Sequence, residues 1–148
     1  MSATLFALVE RVHGHVAVLA LALLLHPVIT LRTRRLLTPW TVRTSELAAL
    51  LLSGAFAVGW WLYPSYRAEV KPALLADLPR VAASFETKEH LAFCAAALAI
   101  AGAVVLRRAG ASSEGRKAAW ALLVGAWICG VTTGALGVFV ASFAQTGW

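Results

Sequence analysis

A chain of 148 residues that is 60% hydrophobic and 14% charged, with a mean hydropathy of +0.77, has the composition of an integral membrane protein. Its formal charge of +6 reads as membrane topology and not as nucleic-acid contact, because the basic excess sits in short loops between apolar runs. The length suits a single transmembrane domain over residues 1–148, and Cys94 and Cys129, both inside apolar segments, provide no disulfide framework.

The chain begins Met1-Ser2-Ala3-Thr4, without a basic n-region, and its apolar run continues past Ala20-Leu21-Ala22, so the first span is expected to be uncleaved. Helix 1 is expected over about 4–31 and carries His13, His15 and His26. At 100° per residue the step from His15 to His26 returns to within about 20° of its starting direction, whereas His13 points about 160° away from His15. His15 and His26 are therefore assigned to one inward face. Pro27 crowds the Leu23 carbonyl, which predicts a kink and an inward His26 bonding locally, to a neighbouring helix or to a quinone.

Helix 2 is expected over 45–63, with Ser45 as N-cap, small residues at Ser53, Gly54, Ala57 and Gly59, and an interfacial Trp60-Trp61 belt at its end. Residues 64–86 read as an interfacial loop holding a short helix. Helix 3 is expected over 87–106 and helix 4 over 118–143, the latter carrying Gly130-Val131-Thr132-Thr133-Gly134 at GxxxG spacing. Four Lys/Arg follow helix 1 (Arg32, Arg34, Arg35, Arg43) and four follow helix 3 (Arg107, Arg108, Arg116, Lys117), while the middle loop is neutral. The expected fold is an all-α, integral membrane four-helix up-down bundle with both termini extracytoplasmic, in a bacterial inner membrane.

Depth counting carries the functional reading. His15 lies seventeen residues before Arg32 and His90 seventeen before Arg107, which puts both imidazoles about 25 Å from the cytoplasmic border. Counting forward from Lys117 brings Gly134 to the same level. Two histidines on parallel helices suit the axial positions of one haem between helices 1 and 3. Gly134 makes room for the macrocycle, and Arg11, Arg67 or Lys71 is expected to pair with the propionates. There is no Cys-x-x-Cys-His, so covalent attachment is excluded and the group is haem b.

These features, with His15, His90 and Thr133-Gly134 as the specific content, resemble the small four-helix membrane b-type cytochromes. They are also similar to uncharacterised four-helix membrane families associated with terminal-oxidase assembly. The resemblance implies electron transfer, with His15 and His90 as iron ligands. The alternatives are a non-catalytic accessory or assembly subunit of a larger respiratory complex, and a copper or zinc site drawn from His13, His15, His90 and Glu86. Cys94 and Cys129 read as core fillers. No nucleophile with a paired base, phosphate loop or carboxylate pair is present, so an electron carrier or accessory subunit is favoured over a stand-alone enzyme.

Overall fold

The computed structural model describes residues 3–33, 37–69, 71–110 and 112–145. Its elements in order are α1 (Ala3–Arg32), α2 (Pro39–Glu69), α3 (Lys71–Asp77), α4 (Pro79–Ala109) and α5 (Ser113–Gln145), with no strand among the described residues. The four long helices are each apolar and long enough to cross a membrane. Arg34 and Arg35 of the first basic turn lie outside the described residues, as does Trp148.

Helix starts differ most from expectation, and proline explains two of them. The first N–H groups of a helix have no intrahelical acceptor, so proline fits the first turn at no cost in hydrogen bonds. Accordingly α2 begins at Pro39, where Thr38 Oγ1 accepts the Thr41 N–H at 3.2 Å, and α4 begins at Pro79, eight residues before the expected Thr87. Ser45, expected as a cap, is instead fully buried inside α2 and donates from Oγ to the Val42 carbonyl at 2.7 Å. The loop expected over 64–86 is mostly helical: α2 runs on through Pro64 to Glu69, and α3 is the short helix anticipated there. Pro27 does not interrupt α1. Gly110 ends α4 with φ at 51°, a left-handed conformation that glycine adopts without penalty.

Around the bundle, α1 packs on α2 and α5, and α4 packs on the same two, while α1 and α4 face each other diagonally without packing contact among the described residues. Alanine makes this close assembly possible. Ala20, Ala48, Ala49, Ala99, Ala103, Ala119 and Ala126 form the inner surface with Leu24, Leu52, Leu106 and Leu123. Small side chains let the backbones approach, so the helices make close van der Waals contact along this cluster. Gly102 belongs to this seam, since a Cβ there would stand 2.7 Å from Leu123 Cδ2. At the end carrying Arg32 and Arg107, Arg107 pairs with Glu46 at 2.9 Å and Arg32 lies over the Trp120 ring at 5.6 Å, tying α4 to α2 and α1 to α5. At the opposite, histidine-bearing end, Leu74 of α3 is buried among Val81, Ala82, Phe85 and Val140 and closes the bundle.

Candidate functional site

The structure does not bring His15 and His90 together. On α1 the buried stripe is Ala20, Leu24 and Pro27, and His15 lies about 140° from Ala20 around the helix. On α4, His90 stands about 180° from the fully buried Ala99. Both histidines are exposed, on helices that do not pack on each other. The two imidazoles expected to face inward, one from each side of a haem, thus stand on outward faces of their helices.

Each imidazole is nevertheless held in a defined way. His15 Nδ1–H donates to the Arg11 carbonyl at 2.7 Å and His90 Nδ1–H donates to the Glu86 carbonyl at 2.8 Å. A carbonyl can only accept, so Nδ1 carries the proton in both and the Nε2 lone pair is left available. This is the tautomer a metal-ligating histidine adopts when its second nitrogen is tied to the backbone.

The remaining predicted site residues are dispersed. Gly134 is exposed, with nothing within 4 Å of a Cβ built on it, and Thr133 Oγ1 donates to the Cys129 carbonyl at 2.8 Å. Arg11 and Arg67 are exposed on α1 and α2. Among the described residues no group of three or more His, Cys, Asp or Glu side chains could hold a metal ion, so the set of His13, His15, His90 and Glu86 is not assembled in one chain. The Glu86 carboxylate pairs instead with Lys71, and that bond raises the Lys71 ammonium above its ordinary value. Cys94 is exposed and Cys129 half-buried, so Cys94 is not the core filler expected of it.

Two inward polar side chains were missed by sequence reasoning. His13 is half-buried against α2, where the absence of a side chain at Gly59 admits its ring, since a Cβ there would lie 3.3 Å from His13 Cε1. Its Nδ1 is buried without a hydrogen-bond partner among the described residues, and the ring lines an apolar groove of about 220 Å³ between α1 and α2. Lys88 lies with its stem beside Gly137 of α5 and its ammonium 4.3 Å from the centre of the Phe85 ring. The signal was heptad spacing: His13, Ala20 and Pro27 recur every seven residues, as do Lys88 and Ala95.

His26 does point inward, as expected, but its partner is a side chain. Its Nδ1 stands 2.9 Å from Thr44 Oγ1, which donates its one proton to the Trp40 or Thr41 carbonyl at 3.0 or 3.1 Å. His26 Nδ1–H must then be the donor to Thr44. No protein-family model, curated protein or solved structure matches the chain.

Proposed function

We propose that this chain is a multi-pass membrane protein acting as a small accessory or assembly subunit of a larger membrane complex, in a bacterial inner membrane with both termini extracytoplasmic. The four long apolar helices support the membrane assignment, and the basic turns beside Arg32 and Arg107 support the orientation. One observation carries the functional reading. His15 and His90 present free Nε2 atoms on the outside of an alanine-packed bundle, so they meet whatever lies beside the chain and not a group enclosed within it. Interfacial imidazoles of fixed tautomer suit contacts to a neighbouring subunit or to a cofactor that the neighbour holds.

The equal depth of the two histidines favours a second reading, a b-type cytochrome for electron transfer. Because they face outward, His15 of one chain and His90 of a neighbouring chain would ligate the haem, with no haem enclosed in a single bundle. Optical spectra of the purified chain, air-oxidised and dithionite-reduced, separate the readings. A colourless chain that keeps its helical fold fits an accessory subunit, and a reduced haem band lost in both His15→Ala and His90→Ala fits the cytochrome.

A further inference from the structure

We propose that two copies of this chain, related by a two-fold axis along the membrane normal, bind one zinc ion through His90 and Cys94 of each copy. The inference shares the outward His90 Nε2 with the accessory reading but uses neither His15 nor an enclosed cofactor. His90 and Cys94 are one helical turn apart on α4 and both are exposed, so one outward face carries a nitrogen and a sulfur ligand side by side. One-turn spacing between ligands recurs in structural zinc sites, whose preferred coordination is four ligands in a tetrahedron. A single chain supplies two. The bond from His90 Nδ1–H to the Glu86 carbonyl fixes the tautomer and leaves Nε2 for the metal.

The bilayer constrains how the missing pair arrives. Every copy inserted with the same topology holds His90 and Cys94 at the same depth, so a two-fold axis along the normal sets each residue opposite its own counterpart. Ala97 and Ala101 continue this face beyond Cys94 at alternating three- and four-residue steps and let two backbones approach there, with the exposed Phe93 at its edge. Glu86, one turn before His90, already pairs with Lys71, which limits the repulsion between two facing carboxylates. Charge balance also fits the depth. Two thiolates cancel the double positive charge of zinc, so the complex adds no net charge to a low-dielectric setting. On binding, each thiol loses its proton to the water at the nearby membrane rim, two protons for each ion taken up.

The test uses the full chain in nanodiscs, loaded with Zn2+ alone and desalted before metal analysis. The expected result is half a zinc ion per chain, lost in Cys94→Ser and in His90→Ala and kept in Cys129→Ser. Retention of zinc by Cys94→Ser, a ratio of one ion per chain, or no uptake by the folded wild-type chain overturns the proposal. Should the site variants fail to fold, oxidative cross-linking of the Cys129→Ser chain in membranes gives the same decision. A Cys94 disulfide dimer that zinc suppresses is expected, and the absence of any such dimer contradicts the shared site.

Discussion

His26 and Thr44 show how a polar residue settles inside an apolar bundle. Pro27 leaves α1 one internal hydrogen bond short, and Thr44 receives the imidazole N–H while its own hydroxyl is satisfied within α2. Removing the imidazole by His26→Ala, or the hydroxyl by Thr44→Val, should each cost about 1 kcal/mol, between the average of about 0.6 and the maximum of about 1.7 for interhelical hydrogen bonds in membranes. The double variant should cost clearly less than the two together, read from reversible unfolding in mixed micelles. Additive losses would show that the bond does not link α1 to α2. That His26 needs a partner was legible in the sequence; that His13 and not His15 turns inward was not. In a helix apolar on every side the contrast between wet and dry faces disappears, leaving only the heptad spacing of His13, Ala20 and Pro27 and the facing Gly59 as clues.

The helices are held by close fit, and the glycines divide by what stands opposite them. Gly102→Ala would put a methyl group 2.7 Å from Leu123 Cδ2, on a side chain with no exposed surface and no room to yield. Overpacking of this kind should cost about 1–3 kcal/mol. Gly54→Ala meets nothing within 4 Å and should be neutral or stabilising by up to about 1 kcal/mol through helix propensity. Unfolding midpoints of the two variants should therefore move in opposite directions, or Gly54→Ala not at all; equal destabilisation would contradict the close α4–α5 seam. The positions of the four long helices were readable from hydropathy. Their starts were not, because Pro39 and Pro79 are first-turn residues that lie before the apolar runs, and Thr38 provides the cap that Ser45 was expected to supply.

At the scale of the whole molecule, basic turns at one end and a neutral connection at the other set the proposed orientation. Fusions of a reporter active only outside the cytoplasm should work after Asp77 and fail after Gly110. The reverse pattern would invert the bundle. The outward faces of His15 on α1 and His90 on α4 bear on the chemistry, because both imidazoles are exposed on helices that share no packing contact among the described residues. Haem content of the purified, monodisperse single chain tests this most directly, from the dithionite-reduced spectrum and a haem-to-protein ratio. The ratio should be near zero with the helical fold intact. A ratio of one haem per single chain, abolished by either His15→Ala or His90→Ala, would mean that the two imidazoles meet inside one bundle after all.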